Sequence, residues 1–406
     1  MNEWKDVSIG DLCETVSNTY RRKDQEVVLV NTSDVLEGKI LNHQLVPNEN
    51  LKGQFKKTFQ KDDILYSEIR PANKRYAFVD FESTDHYIAS TKLMVLRPKT
   101  ENVTPRYLYA VLTSKEVIDE MQHLAETRSG TFPQITFSSE LAPYHIKLPN
   151  LEIQKKIVSL LDAIEHKIET NVAINENLEQ QAKALFKSWF VDFDPFGGIQ
   201  PSEMQFVPLQ DLCKVVTKGT TPTTLGKPFA TSGINFIKAE SILNNHSIDS
   251  CKFAYIDDET NYMLKRSIIN ANDIVFTIAG TLGRFALVDE SILPANTNQA
   301  VAIIRPDHTK ISSTYLYSFF IGNWHNEYYS KRVQQAVQAN LSLTTIKSLP
   351  IALLDKKTMN QYDKLVCPLF SMMKNNEEEN RKLAILRDSL LPKLMSGEID
   401  ISNLDL

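Results

Sequence analysis

The feature that most constrains the fold is an internal repeat with a period of about 205 residues, which obliges the chain to build one plan twice. Val7-x-Ile9-x-Asp11-Leu12-Cys13 returns as Val207-x-Leu209-x-Asp211-Leu212-Cys213. Asp63-Ile64-Leu65 returns as Asp273-Ile274-Val275, and Arg75 to Asp80 as Arg284 to Asp289. Val95-Leu96-Arg97-Pro98 returns as Ile303-Ile304-Arg305-Pro306, and Tyr107-Leu108-Tyr109 as Tyr315-Leu316-Tyr317. These matches are colinear at nearly one offset, which chance similarity between amphipathic segments does not produce. At 406 residues the chain is also too long for one core of ordinary size.

Within each copy the first part reads as short β-branched and aromatic runs bounded by Gly, Pro, Asn and Asp. Strands are expected at Val27 to Val30, Ile64 to Tyr66, Tyr76 to Val79 and Lys92 to Leu96. Their counterparts are Phe236 to Lys238, Ile274 to Ile278, Phe285 to Val288 and Ala300 to Ile304. A single helix follows in each, near Pro105 to Leu124 and Thr314 to Val333. The second part is a heptad: Ile157, Leu161, Ile164, Ile168, Asn171, Asn175, Leu178, Ala182, Leu185 and Trp189, the a/d seam of a coiled coil. It returns as Tyr362, Val366, Leu369, Met373, Asn376, Asn380, Leu383, Arg387, Leu390 and Leu394. Each helix should be near 50 Å long, at 1.5 Å per residue over about 33 residues. Pro368 predicts that the second helix begins or kinks there.

A polar residue at a seam position sacrifices stability and fixes register or partner choice. Two antiparallel helices centred on each other would bring Asn171 and Asn175 opposite Asn376 and Asn380. The fold class expected is therefore α+β: two similar mixed α/β domains separated by two long antiparallel coiled-coil helices, with pseudo-twofold symmetry. The boundaries are 1–150 and 198–352 for the domains, 151–197 and 353–406 for the helical regions.

Chemistry that an enzyme would display is not visible. Asp194-Pro195-Phe196 has only part of an amino-methyltransferase motif and reads as a linker closing a helix ahead of Gly197-Gly198. Gly280-Thr281-Leu282-Gly283 reads as a tight turn, the eight histidines are scattered, and no phosphate-binding Gly-rich loop exists, so no catalytic residue and no metal ligand is assigned. Cys13, Cys213, Cys251 and Cys367 form no C-x-x-C pair and are expected to be reduced, buried thiols. No stretch is apolar enough to span a membrane and Met1 is followed by a polar run, so a cytoplasmic location is expected.

Lys, Arg, amide and hydroxyl side chains on loops are what DNA contacts need, for phosphates and base edges alike. The candidates in the first copy are Arg21, Arg22, Arg70, Lys74, Arg75 and Arg128. In the second they are Lys218, Thr220, Arg284, Asn298, Gln299, Lys331 and Arg332. Charge argues against strong unaided binding: residues 1–150 hold 19 basic against 21 acidic side chains, residues 201–350 hold 13 against 12, and the whole chain carries −5.

Taken together, the residues carry a resemblance over nearly the whole chain. Lys218-Gly219-Thr220-Thr221-Pro222 resembles the G-x-T-P element that opens a target-recognition domain, and Asn272-Asp273-Ile274-Val275 the G-D-I-L strand start, of the specificity (S) subunit of type I restriction-modification systems. Lys187 to Phe196 resembles that family's central junction, and Glu379 to Leu383 with Arg387 to Glu398 its distal region. The first copy departs from the pattern, with Ser17-Asn18-Thr19 in place of G-x-T-P. The resemblance implies a non-catalytic subunit whose two target-recognition domains each read half of a bipartite, asymmetric DNA target. Its helices would set the spacer and dock two methyltransferase (M) subunits, with restriction (R) subunits joining. S-adenosylmethionine, ATP and Mg would belong to those partners and no cofactor to this chain. The expected docking and ruler residues are the two seams, Ile157, Leu161, Ile164, Ile168, Asn171, Asn175, Leu178, Leu185, Leu369, Met373, Asn376, Asn380 and Leu383, with the flanking Trp189, Phe190, Leu390 and Leu394. The alternatives are the recognition subunit of another multi-subunit restriction system and, in a different class, a coiled-coil scaffold that binds protein.

Overall fold

The structure, a computed structural model, describes residues 4–22, 24–49, 53–324 and 341–402. It divides into two compact units, 1–170 with 378–406, and 171–377. Each contains one copy of the mixed domain and part of both long helices, so the repeat in sequence is a repeat in structure.

The first unit contains strands β1 (Lys5–Ser8), β2 (Cys13–Val16), β3 (Glu26–Val30), β4 (Leu45–Pro47), β5 (Phe55–Lys57), β6 (Ile64–Ser67), β7 (Tyr76–Phe78), β8 (Tyr87–Ser90) and β9 (Leu93–Pro98). Helices α1 (Pro105–Leu112) and α2 (Lys115–Arg128) follow, then β10 (His145–Leu148) and the long helix α3 (Leu151–Phe190). One four-stranded sheet has the order β2-β9-β6-β7, all antiparallel. A second has the order β4-β3-β8-β5, in which β3 and β8 run parallel. β1 pairs with β10.

The second unit contains β11 (Gln205–Pro208), β12 (Cys213–Lys218), β13 (Ile234–Ile237), β14 (Ala254–Ile256), β15 (Ile274–Thr277), β16 (Phe285–Leu287), β17 (Ala295–Thr297) and β18 (Val301–Pro306). After them come α4 (Ser313–Ile321), β19 (Pro350–Leu353) and the second long helix α5 (Lys356–Ser396). The sheets correspond: β12-β18-β15-β16 is antiparallel, β14-β13-β17 contains the parallel pair β13 and β17, and β11 pairs with β19.

The alternation of side chains along a strand explains why the antiparallel sheet is buried on both faces. Ile64, Tyr66, Met94 and Leu96 join the helices in one cluster, while Leu65, Leu93, Val95 and Ala77 join the second sheet in another. In the second unit Ile274, Phe276, Ala302 and Ile304 face the helices, and Val275, Val301, Ile303 and Ala286 face the other way. Strands covered on both faces lose the polar alternation of a surface strand, hence the continuous apolar runs.

Each expected strand forms, within two residues at either end. The helix expected over Pro105 to Leu124 is instead two: Thr113 Oγ1 donates to the Tyr109 carbonyl, and Ser114 Oγ accepts from the Val117 N–H to cap a new helix. The corresponding segment of the second copy is helical over Ser313–Ile321, and its continuation to Val333 lies outside the described residues. The helix expected to begin or break at Pro368 starts at Lys356 and continues through Pro368 and Pro392. Proline leaves the carbonyl one turn earlier without its donor. For Pro368 that residue is Lys364, which is exposed, so water can serve its carbonyl. All four cysteines are free thiols, but Cys251 and Cys367 are exposed rather than buried. Burial pushes Cys13 and Cys213 up to about 12, so both stay protonated at neutral pH. No helix among the described residues is long and apolar enough to cross a membrane.

Candidate nucleic-acid interface

Strand register brings three connections to one end of the antiparallel sheet in each unit. Val16 at the end of β2 pairs with Val95, Ser67 at the end of β6 pairs with Leu93 at the start of β9, and Tyr66 pairs with Tyr76 at the start of β7. The segments 17–25, 68–75 and 91–92 therefore leave the same edge. In the second unit Lys218 pairs with Ala302, Thr277 with Val301 and Phe276 with Phe285. Segments 219–233, 278–284 and 298–300 are thus their equivalents.

At the opposite end of each sheet sits an identical anchor. Arg97 Nε and Nη2 donate to the two oxygens of Asp63 at 2.8 and 2.7 Å, and Arg305 repeats this on Asp273 at 2.8 and 2.7 Å. Each Asp is 1% exposed and also accepts from a backbone N–H, that of Gln60 or Asn270, at 2.8 Å. The hydrogen bonds to Asp63 raise the Arg97 guanidinium above its ordinary value, so the pair stays ionised. The repeat marks both partners in sequence, yet nothing in it says that they meet.

In the first unit the loop after β6 is built on two left-handed residues that are not glycine: Arg70 at φ 45° and Lys74 at φ 53°, flanking a turn at Pro71–Asn73. Such conformations cost of order 1 to 3 kcal/mol and persist where surrounding contacts enforce them. Those contacts are visible, since the Arg70 N–H donates to the Pro133 carbonyl at 3.1 Å and the Ala72 N–H to Gln122 Oε1 at 3.0 Å. Both cationic side chains are exposed; Lys74 lies 3.1 Å from Glu37, and Arg70 makes no ion pair among the described residues. The same contact to Pro133 draws the segment after α2 alongside, with Arg128 exposed in the last turn of α2 and 3.2 Å from Glu140. Lys92, which sequence reasoning missed, joins them, its ammonium 3.4 Å from both Glu68 and Gln134.

Arg21 and Arg22 are exposed on the segment after β2, where Arg22 pairs with Asp85 at 2.8 Å. Arg75 is half-buried, and its Nη1 donates to the Ser33 and Val35 carbonyls at 3.0 and 3.3 Å. It ties loop to loop instead of standing free. Lys57 does likewise, donating to the Thr91 and Leu93 carbonyls at 2.9 and 2.8 Å, and burial lowers its ammonium below the usual lysine range.

In the second unit, Gly219 explains why the turn after β12 needs a glycine. A Cβ there would lie 1.8 Å from the Thr297 carbonyl oxygen, and the Gly219 N–H donates to the Asn298 carbonyl at 3.1 Å. This approach brings Lys218, Thr220, Asn298 and Gln299 together. The Thr221 hydroxyl donates to Gln299 Oε1, and Asn298 Oδ1 accepts the Ala300 N–H at 3.0 Å. Lys218 and Gln299 are exposed. Arg284, like Arg75, is a tie: its Nη1 donates to the Ile242 carbonyl at 3.1 Å. Lys331 and Arg332 lie outside the described residues.

The seam residues pack as a seam. Ile157, Leu161, Ile164, Asn171, Leu178, Met373 and Leu394 are buried, while Ile168, Asn175, Leu185, Trp189, Leu369, Asn376, Asn380, Leu383 and Leu390 are half-buried. In the second unit Asn376 Nδ2 donates to Asn175 Oδ1 at 2.7 Å and Asn175 Nδ2 to the Met373 carbonyl at 3.1 Å, which sets the two helices antiparallel there. In the first unit Lys167 meets Glu379 at 3.1 Å and Arg387 meets Glu165 at 3.4 Å, again antiparallel. Phe190 and Leu394 were expected at partner-facing flanks, and the structure corrects this: they are 6% and 1% exposed. Leu178, Ala182, Phe186 and Phe190 recur every four residues, so the buried stripe rotates toward the domain, and Phe190 packs on Tyr315 and Tyr362 at 4.9 and 5.0 Å.

A duplicated mixed domain with polar and basic loops at one sheet end, joined to two long helices, is the architecture of a recognition protein. A sequence model of the type I restriction modification DNA specificity domain matches residues 1–180 and 201–361, and this chain belongs to that family. The chain is 32% identical to the type I restriction enzyme HindI specificity subunit of Haemophilus influenzae, over 98% of this chain and 100% of that one. It is 25% identical to the MjaIX specificity subunit of Methanocaldococcus jannaschii, over 75% of this chain and 71% of the relative. Among solved structures, the S subunit of a type I restriction-modification system from M. genitalium shares the fold, with a TM-score of 0.55, 15% identity, and 99% and 97% of the two chains covered.

Proposed function

We propose that this chain selects the DNA sequence for a type I restriction-modification complex and performs no chemistry itself. The target-recognition domain at 1–150 reads one half of a bipartite, asymmetric target and the domain at 198–352 reads the other. The helical regions at 151–197 and 353–406 set the unspecified spacer and dock two M subunits, and R subunits complete the assembly in the cytoplasm. S-adenosylmethionine, ATP and Mg are held by those partners.

One observation carries the reading: in both units the same three connections leave the same sheet end and present exposed cations and amides, Arg70, Lys74 and Lys92 in one and Lys218 and Gln299 in the other. A stiff sheet that aims loops in one direction suits base readout, since phosphate contacts position a protein and groove contacts specify sequence. Large apolar side chains left in solvent on the helices, Val172 and Ile174 on α3 and Leu365, Met372, Ile385 and Leu386 on α5, supply area for M subunits to bury.

Co-expression with M subunits, followed by genome-wide mapping of methylated adenines, tests this. One bipartite motif should appear only when this chain is present, and Arg70→Ala with Lys74→Ala should relax or abolish one half of it while Lys218→Ala with Gln299→Ala affects the other. A well-formed complex with no new methylation would overturn the proposal.

A further inference from the structure

The two units differ most where one core is complete and the other is not. In the second unit, rings close the space between helix and domain: Phe186 lies 5.7 Å from Tyr315 and 6.1 Å from Phe319, and Phe190 lies 4.9 Å from Tyr315 and 5.0 Å from Tyr362. The Tyr315 hydroxyl donates to the Ala352 carbonyl. By the repeat, the first unit keeps Tyr107 for Tyr315 but has Val111 for Phe319, Ile157 for Tyr362, Leu391 for Phe186 and Met395 for Phe190. Four rings are thus replaced by aliphatic side chains, and interiors are packed too closely for such a loss to pass without a void.

A void is present at that place. A partly open cavity of about 350 Å³ is lined by Tyr107, Val111, Tyr144, Lys147, Met395 and Ser396, among others. Tyr107 is 0% exposed, and its hydroxyl has no hydrogen-bond partner among the described residues. Burial pushes this phenol above its ordinary value, so it remains a donor at neutral pH. A buried polar group left without a partner is a standing cost that an occupant can remove. An apolar cavity of ~150 Å³ already accommodates benzene. The charged groups at the rim are largely compensated within the protein: His145 and Lys147 pair with Asp6 at 2.5 and 2.9 Å, and Lys393 with Glu398 at 3.7 Å. That rim does not select for a charged ligand.

We propose that this cavity binds a small neutral aromatic molecule bearing a hydrogen-bonding group, whose ring takes the volume that Phe319 and Phe190 fill in the second unit and whose polar group meets the Tyr107 hydroxyl. The occupant differs from any contact with DNA, and the inference stands apart from the recognition loops.

The test is saturation-transfer NMR on the full chain with phenol, indole and benzene. Transfer to phenol and indole is expected. Val111→Phe and Met395→Phe, which restore second-unit residues, should abolish it while raising the thermal midpoint of the unliganded chain. Tyr107→Phe should also raise that midpoint, by removing an unpaired hydroxyl, and weaken phenol several-fold more than benzene. Absence of transfer from all three probes overturns the proposal. So does binding that persists in the folded ring-restoring variant, with Met395→Phe deciding if Val111→Phe does not fold. A Tyr107→Phe chain that is less stable than the parent would overturn it too, since the hydroxyl would then already serve the fold.

Discussion

The bidentate pairs Arg97–Asp63 and Arg305–Asp273 show how a repeated motif acquires a physical meaning. Each carboxylate is 1% exposed, so its charge is tolerable only with a partner in place. Removing one member of a buried pair costs about 3 to 5 kcal/mol, because the other charge is left uncompensated. Arg97→Met should therefore lower the urea midpoint of the first unit sharply, and Arg305→Met that of the second, as read by tryptophan and tyrosine fluorescence. The double change Arg97→Met with Asp63→Leu should recover much of the loss. Both residues of each pair were legible in sequence as repeats, but strands that pair through backbone hydrogen bonds leave no mark of which side chains end up side by side. Arg75 and Arg284 make the converse point. Their position in loops made them candidates for DNA, while their carbonyl contacts make them braces that hold those loops together.

The long helices obey the heptad over most of their length and leave it where the domain competes for them. Hydrophobic spacing marked the inward stripe correctly at Ile157, Leu161 and Leu178, yet the four-residue run to Phe186 and Phe190 follows the domain's aromatic core instead. The asparagine contact in the second unit has a measurable consequence. Asn376→Leu leaves the Asn175 amide oxygen without its donor and should cost about 1 to 3 kcal/mol in a chemical melt. Asn175→Leu with Asn376→Leu should be more stable than either single change while loosening helix register or altering oligomeric state by light scattering. The helix also meets its domain through charge. Burial disfavours the ionised Asp289, but the Lys374 ammonium 2.5 Å away and the Ser291 N–H outweigh it and hold the carboxyl at about 2. A carboxyl with a depressed native value stabilises the fold above its unfolded value, about 4, and loses that contribution as pH falls toward 2. Lys374→Ala should flatten the stability profile of this unit between about pH 4 and 2, measured by thermal melts across that range.

For the molecule as a whole, net charge sets the strength of DNA binding. With −5 overall and each domain near neutral, the exposed cations of the loops make few phosphate contacts. Fluorescence anisotropy on the purified chain should therefore show weak binding that falls steeply between about 50 and 200 mM salt, with affinity restored by M subunits. Tight binding by the chain alone at the higher salt would show that the loops suffice. Duplication, the mixed character of each domain, the two long helices and the basic and amide loops were all readable from the chain, because periodicity and repeats are local properties that burial imposes on a sequence. Which loops share a sheet end, which arginines are braces, why Gly219 admits no side chain and where the first unit lacks the rings of the second came from packing. Those facts depend on strand register and on neighbours far apart in the chain, and a linear pattern holds no record of contacts between residues that meet only after folding.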